Sequence, residues 1–464
     1  MRDALLIVFI FLSGCATYRA QPIAPAQLAQ RFETRSLASG ELHEWFAREL
    51  GHGVGPWPPA RWSRQSLTLA AWYYNPALDV ARAQWGTARA GIEVADAIPN
   101  PVLQLPFEYT IPNPGPGAPF TTGPSLDIPI ETAGKRGYRV DQASHQSESA
   151  RLNIANEAWK VSAQVRDAML ALYAARERVS WLSPKMDAMQ QIVAMVRKRR
   201  AVGENAGPDV DAALAAATQA QADLASARIA QQEAQAQLAT AIGVPEAALD
   251  DIAIDFDAVA TVPPAPPDAD ARRNAMFDRA DLRASLADYA AAESALQLEV
   301  AKQYPDIHLG SGYTYDTGTN RIAFGLAGIT LPVFDRNHGG IAQAAAKRKE
   351  AAARTAALQD AILGDVDRGV ARYRSSLDAL PIAEANLAAA RRQRDSEAAG
   401  FAAGDVDRVT CTQAKADYAS SEIGHLDAVI AARQAADALE DAMQRPLPED
   451  DALNTARSAQ EWRK

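Results

Sequence analysis

Residues 208–242 read PDVDAALAAATQAQADLASARIAQQEAQAQLATAI, and the spacing of alanine in that run decides the fold. Ala213, Ala220, Ala227, Ala234 and Ala241 recur every seventh residue, with Val210, Ala217, Leu224, Gln231 and Leu238 on the facing positions. A seven-residue apolar period is the seam of helices that wind about one another, and alanine at every d position lets two backbones approach closely. The stretch just upstream supplies a mate. Val165, Leu172, Val179, Met186 and Val193 keep the same period, alternating with Val161, Ala168, Ala175, Leu182, Met189 and Val196. Pro184 lies inside this run, where it removes a helical hydrogen bond and is expected to bend the helix. If 134–202 is a single helix it reaches roughly 100 Å, which no globular domain needs. A weaker seam returns further on, with Leu363, Val370 and Leu377 beside Val366, Tyr373, Leu380 and Leu387.

That return is part of a duplication. The helix entry at Asn75-Pro76-Ala77-Leu78, running to Ile98-Pro99-Asn100, matches the run from Arg279 to Tyr304-Pro305-Asp306. Leu126 to Ile130 followed by Glu131-Thr132-Ala133-Gly134-Lys135-Arg136-Gly137 matches Ile329 to Phe334 followed by Asp335-Arg336-Asn337-His338-Gly339-Gly340. Pro99 and Pro305 stand 206 residues apart, Pro129 and Pro332 203 apart, so the period is steady. Each copy reads helix, strand pair, long helix, helix. The spans are 66–242 for the first repeat, with strands in 101–130, a long helix over 134–202 and a helix over 208–242. The second repeat is 279–445, with strands in 305–334, a long helix over 338–402 and a helix over 406–444. A proline- and acid-rich connection, 243–278, joins them.

The strands alternate. Leu103, Leu105, Phe107 and Tyr109 stand between polar or turn residues, as do Leu126, Ile128 and Ile130, and Ile307, Leu309, Tyr313 and Tyr315. The last strand carries Ile322, Phe324 and Leu326 on one face and then shifts phase to Ile329, Leu331 and Val333, which places a bulge near Gly328. The lengths suit tilted membrane strands of about 9–11 residues, although alternation alone equally describes a half-buried soluble sheet. Four strands cannot close a barrel whose smallest outer-membrane form has about 8, so several chains must pool.

The N-terminus reads as a processing signal. Arg2 precedes the apolar run from Ala4 to Leu12, too short to span a bilayer, and Leu12-Ser13-Gly14-Cys15 has the form of a lipoprotein cleavage site. Residues 1–14 are then a signal peptide, Cys15 takes the lipid, and 15–65 forms a lipid-anchored extended segment; Asp3 is unusual in such a leader. Ala16 after the cysteine implies the outer membrane as destination. No other segment is long and apolar enough for a transmembrane helix.

Composition narrows the function. Of 464 residues 48% are hydrophobic but only 7% aromatic, because alanine dominates the apolar share. With 57 acidic against 47 basic residues the net charge is −10, which argues against nucleic acid as a partner. Two cysteines give no disulfide framework, and Cys411 is alone once Cys15 is lipidated. The histidines at 43, 52, 145, 308, 338 and 425 show no ligand spacing, and the glycines at 115–117 and 310–312 fall in strands or loops, where they cradle no phosphate. No enzyme activity, cofactor or resident metal is expected.

Taken together, the Cys15 signal, the Asn75-Pro76 helix entry, Ile98-Pro99-Asn100-Pro101, two strand pairs each followed by a long heptad helix, and the duplication resemble the TolC-type outer-membrane efflux channels over about residues 66–445. Leu331-Pro332-Val333-Phe334-Asp335-Arg336-Asn337-His338-Gly339, with Glu131 to Gly137, most resembles their heavy-metal cation efflux branch. The resemblance implies a mainly α fold with a small β part: a homotrimer with a twelve-stranded outer-membrane β-barrel above an antiparallel α-helical coiled-coil tunnel reaching into the periplasm. It also implies a periplasmic adaptor and an inner-membrane proton-driven pump of the RND type as partners. A duct for drugs or polypeptides is the alternative cargo assignment, and a coiled-coil envelope scaffold the alternative outside the channel class.

Both helix hairpins are polar. Gly203 to Val210 reads GENAGPDV and Gly404 to Val409 reads GDVDRV. The resemblance places them at the periplasmic tip, where carboxylates ring the closed entrance. Thr410 and Gln413 stand where some relatives carry acids, so Asp405 and Asp407 are the entrance candidates, with Asp209 and Asp211 behind them. Helix capping is the competing role for Asp405, Asp407 and Asp209, since acids are favoured in a first helical turn.

Overall fold

The structure, a computed structural model, describes residues 17–51, 55–111, 119–263, 277–316 and 318–447. Cys15 with its leader, His52, the glycines at 115–117, the prolines from 264 onward in the connection and the C-terminal tail beyond Leu447 lie outside the described residues.

Helices α1 (Pro25–Glu33) and α2 (Gly40–Leu50) interrupt the segment expected to be extended. Pro25 enters α1 with its φ already helical, and the Ser39 hydroxyl caps α2 by accepting from the Leu42 N–H at 3.2 Å. Leu42 and Phe46 of α2 are buried against Leu37, Trp62 and Leu67, so this segment belongs to the core rather than trailing from it. Next come α3 (Arg64–Tyr74), α4 (Pro76–Asp96), four short strands, α5 (Lys135–Ala201) and α6 (Gly207–Ile242). After the short helix α7 (Asp257–Ala260) follow α8 (Ala280–Ala301), two strands, α9 (His338–Ala403) and α10 (Arg408–Met443). The halves match element by element: α4 and α8 have 21 and 22 residues, α5 and α9 have 67 and 66, and α6 and α10 have 36 each.

Alanine and valine drive the pairing of α5 with α6. Val161, Val165, Ala168, Leu172, Met189, Val193 and Val196 are buried on α5, and Val210, Ala217, Ala220, Leu224, Ala227, Ala234, Leu238 and Ala241 on α6. Helix α5 runs through Pro184, and α9 through Pro381, without losing its helical assignment. On α9 the expected seam residues Val366 and Tyr373 are buried together with Ile362 and Gly369, the expected Val370 and Leu377 are half-buried against the same cluster, and Leu439 of the facing helix α10 touches Gly369 closely. Beyond Tyr373 no residue of α9 is fully buried within one chain, and Ile382 is 65% exposed.

Midway along the molecule the shorter helices meet end to end beside the long ones. Asn75 Nδ2 donates to Ala241 O at 2.9 Å, and Arg35 Nη1 donates to both Tyr74 O and Gly243 O. In the second half Arg279 Nη1 donates to Ala442 O at 2.6 Å. Here too lies an ion network that joins the halves. Arg166 of α5 contacts Asp437 at 3.3 Å, Glu440 at 3.2 Å and Asp441 at 2.7 Å, all on α10, and Arg433 contacts Asp437 at 3.0 Å. Burial works against the Arg166 charge, but the surrounding carboxylates outweigh it and hold its pKa above the usual guanidinium value. Burial instead pushes Asp437 up, Arg166 and Arg433 only partly offsetting it.

The sheet is a four-lane meander. Its first two lanes are each broken in two: β1 (Val102–Gln104) and β2 (Phe107–Tyr109) in one, β3 (Phe120–Thr122) and β4 (Ser125–Ile130) in the other. The continuous strands expected there are interrupted because Pro106 and Pro124 cannot donate to a ladder. At Gly123 the chain also presses on β5, where a Cβ would lie 1.8 Å from the Tyr313 carbonyl oxygen. The third and fourth lanes are β5 (Ile307–Asp316) and β6 (Thr319–Ile329). β1 pairs with β4, β2 with β3, β3 and β4 with β5, and β5 with β6, all antiparallel. The register shifts at His308/Leu309, leaving Ala327 as the extra residue of the bulge. β6 stops at Ile329, short of the expected Val333, since Pro332 offers no N–H to prolong the pairing.

Candidate functional site

Alternation along paired strands sorts the sheet into two unlike faces. Directly opposed residues share a face, so Leu103, Leu126 and Phe324 lie with Ile128, Leu309 and Leu326, and with Tyr313 and Ile322. Phe107, Phe120 and Tyr315 continue this face, their rings 6.1 and 5.4 Å apart at the end away from the helices. The other face carries Gln104, Ser125, Asp127, His308, Thr314, Asp316 and Arg321 among the glycines 310, 312, 325 and 328. Arg321 pairs with Asp316 at 3.4 Å, and His308 Nδ1 lies 3.1 Å from Asp127. The apolar face is not covered: Phe324 is 87% exposed. Every residue of β1, β2 and β6 is exposed, and among the described residues nothing pairs with the outer edge of either outer lane.

Such a face suits hydrocarbon on one side and water on the other. β5 has 10 residues, about 33 Å at the usual strand rise, and a tilt of about 40° reduces that to the roughly 25 Å height of an outer-membrane band. No described helix is long and apolar enough to cross a membrane.

The hairpin ends lie at the opposite pole, about 100 Å along α5. Asp407 is the N-cap of α10, accepting from the Thr410 N–H at 2.8 Å. Its second contact is Arg199 of the other hairpin, at 3.2 Å, rather than the neighbouring Arg408. The Thr410 N–H first, and Arg199 after it, hold its carboxyl below the usual aspartate range. Asp209 accepts from Asn205 Nδ2 at 3.1 Å and from the Ala206 N–H at 2.9 Å, and these bonds lower its pKa in turn. Asp405 and Asp211 are exposed and hold no cap among the described residues. The four candidates thus divide into two capping acids and two free ones. Arg199 escaped sequence reasoning, although the run Arg197-Lys198-Arg199-Arg200 in the last turns of α5 is the signal that marks a basic counterpart to an acidic hairpin.

A two-faced, open-edged sheet set on paired hairpins of this length is found in a known family. Outer membrane efflux protein is the family that matches, once over residues 70–244 and again over 272–444. The chain belongs to that family. The cobalt-zinc-cadmium resistance protein CzcC of Cupriavidus metallidurans is 26% identical over 278 residues, 60% of this chain and 64% of that protein, so the match spans just under two thirds of the relative. Among solved structures, the outer membrane protein VceC of Vibrio cholerae superposes with a TM-score of 0.67 at 19% identity, covering 82% of this chain and 96% of VceC. CusC, described as changing conformation as it folds and forms a transmembrane channel, gives 0.66 at 17% identity over 82% of this chain and 91% of its own. The mainly helical fold with a small antiparallel sheet is therefore that of an outer-membrane efflux channel.

Proposed function

We propose that three copies of the chain close their sheets into one twelve-stranded barrel and act as the passive outer-membrane duct of a proton-driven export pump, carrying heavy-metal cations. The observation that carries this reading is the four-lane sheet, apolar on one face, polar on the other and unpaired along both outer edges. Edge-to-edge closure by neighbouring copies satisfies those backbone groups, which hydrocarbon cannot. The similarity to CzcC supports metal as the cargo. A lipid on Cys15 anchors the N-terminus in the outer membrane, and the hairpins extend into the periplasm to meet an adaptor and an inner-membrane pump. Energy comes from that pump. At the tip, Asp405, Asp407, Asp209 and Asp211 bias the entrance toward cations, Asp407 and Asp209 also holding their helices in place.

Native mass measurement of the detergent-extracted protein is expected to give three subunits, each beginning at acylated Cys15. Deletion in the host is expected to lower tolerance to zinc, cobalt, cadmium or copper. A folded monomer would overturn the closure argument. Lost tolerance to organic drugs alone would transfer the cargo to the drug alternative.

A further inference from the structure

On the polar face of the sheet, His308 of β5 and Asp127 of β4 form a pair whose geometry does more than join two strands. His308 Nδ1 lies 3.1 Å from both Asp127 carboxylate oxygens. An ionised carboxylate only accepts, so in the neutral ring Nδ1 carries the proton and donates it, and Nε2 keeps its lone pair. A carboxylate behind an imidazole in this way fixes the tautomer, orients the ring and strengthens Nε2 as a metal ligand. Both side chains stay reachable, 37% and 28% exposed. Directly opposite His308 stand Pro129 of β4 on one side and Gly328 of β6 on the other, and a Cβ built at Gly328 would meet nothing within 4 Å, so the ring is open on the β6 side. Among the described residues no three His, Cys, Asp or Glu side chains converge into a metal cage. A cation held here therefore takes one nitrogen from the protein and water for its other places.

We infer that His308, oriented by Asp127, is a low-affinity docking ligand for borderline divalent transition cations, of which Zn2+ is the type, on the lumenal wall of the barrel. The inference rests on the duct reading, which turns the polar face inward. Imidazole nitrogen selects Zn2+ and its neighbours in the series over Mg2+ and Ca2+, which prefer oxygen. Weakness suits the place, since a conduit must bind firmly enough to admit an ion and loosely enough to release it. The site lies at the barrel wall, well away from the hairpin carboxylates, which as oxygen donors do not make the same distinction.

The purified full chain in detergent, stripped of metal, is dialysed against Zn2+ in excess Mg2+, and bound zinc is counted. Wild type is expected to hold one more Zn2+ per chain than His308→Gln. Asp127→Asn is expected to keep the site with affinity about 10–100-fold lower, because the amide oxygen is a weaker, uncharged acceptor and the amide NH2 can turn to Nδ1 and favour the other tautomer. Wild-type native mass and helical signal in each variant establish that it is folded; should His308→Gln fail that check, His308→Asn and Asp127→Asn carry the comparison. An unchanged zinc count in the histidine variant, displacement of the zinc by Mg2+, or full affinity in Asp127→Asn would each overturn the proposal and leave a cross-strand pair that only stabilises the sheet. The cargo reading is read separately, from host tolerance. An intact zinc site in a protein whose deletion leaves metal tolerance unchanged would remove the cargo and keep the site.

Discussion

Replacing Arg166 with methionine is expected to cost about 3–5 kcal/mol of stability, the usual loss when one partner of a buried ion cluster is removed. Methionine keeps much of the side-chain volume, so the loss is electrostatic rather than a cavity effect. Each contact of about 3 Å is worth about 5 kcal/mol of Coulomb attraction at an effective dielectric near 20, most of it offset by the cost of taking the charges out of water. Asp441, whose side chain is 38% exposed, is screened and adds little. Asp437 and Glu440, at 3% and 1% exposure, are the buried carboxylates that lose the Arg166 charge. Asp437 keeps Arg433, and Arg166→Met with Glu440→Gln, which removes one buried negative charge from the depleted cluster, is expected to recover part of the loss. Glutamine retains an acceptor for the Leu447 N–H, which now bonds Glu440 Oε1 at 3.1 Å. Guanidinium melts followed by helical circular dichroism, at equal protein concentration because assembly links stability to concentration, supply the comparison. A loss below about 1 kcal/mol in Arg166→Met, with assembly intact, would show that the network behaves like a surface ion pair and does not join the halves.

Asp407→Ala removes a cap worth about 1 kcal/mol together with the contact to Arg199, so conductance of the purified channel in planar bilayers is expected to rise and the tip to melt sooner. Asp405→Ala, which removes no cap, is expected to lower cation preference alone; equal conductance gains from both would assign the effect to charge and not to the Asp407–Arg199 contact. The carboxyl of Asp407 titrates below its ordinary value, so the stability it lends is present above the unfolded value near pH 4 and is lost as the pH falls through its lower folded value. Conductance is accordingly expected to be flat from about pH 5 to 8 and to rise only in stronger acid, and a rise centred near pH 6 would refute this. Gly243→Ala forces alanine to φ +88 with its Cβ 2.8 Å from Tyr74 O, and should cost more than the roughly 1–2 kcal/mol of a left-handed residue. Gly51→Ala, at φ +67 with nothing within 4 Å, is the control that shows the left-handed cost without the collision.

The helical part of the fold was legible because one physical quantity, apolar burial on a fixed period, wrote it into the sequence. Ala220, Ala227 and Ala234 sit in the seam where their spacing places them. The sheet was legible in its faces and in its bulge but not in its continuity, because alternation records which side a residue faces and not whether its N–H is bonded. Pro106, Pro124 and Pro332 break or end the ladder while the apolar residues around them keep alternating. Arg166 was invisible for a different reason. It adjoins Val165 on the seam, where a charge reads as solvated, and only the arrival of α10 from the other half buries it. Asp127 and His308 are 181 positions apart, and only strand pairing brings them together. Asp405 and Asp407 look alike in the sequence, and an Arg199 contact across hairpins separates them.

The weaker second seam is informative in the same terms. A helix of 66 residues with no fully buried residue in its lower half has not lost its partner; its exposed apolar residues are arranged for a surface that one chain does not contain. Ile382 and Phe401, 65% and 43% exposed, lie on this half of α9. On the duct reading a neighbouring copy covers them, while the outer sheet edges close at the other end of the same molecule. The two unfinished surfaces then have one cause, and a charged residue placed at Ile382 should weaken trimer formation without unfolding the chain. Ile382→Asp that leaves the native mass at three subunits would separate the two surfaces and leave the exposed stripe of α9 to some other partner.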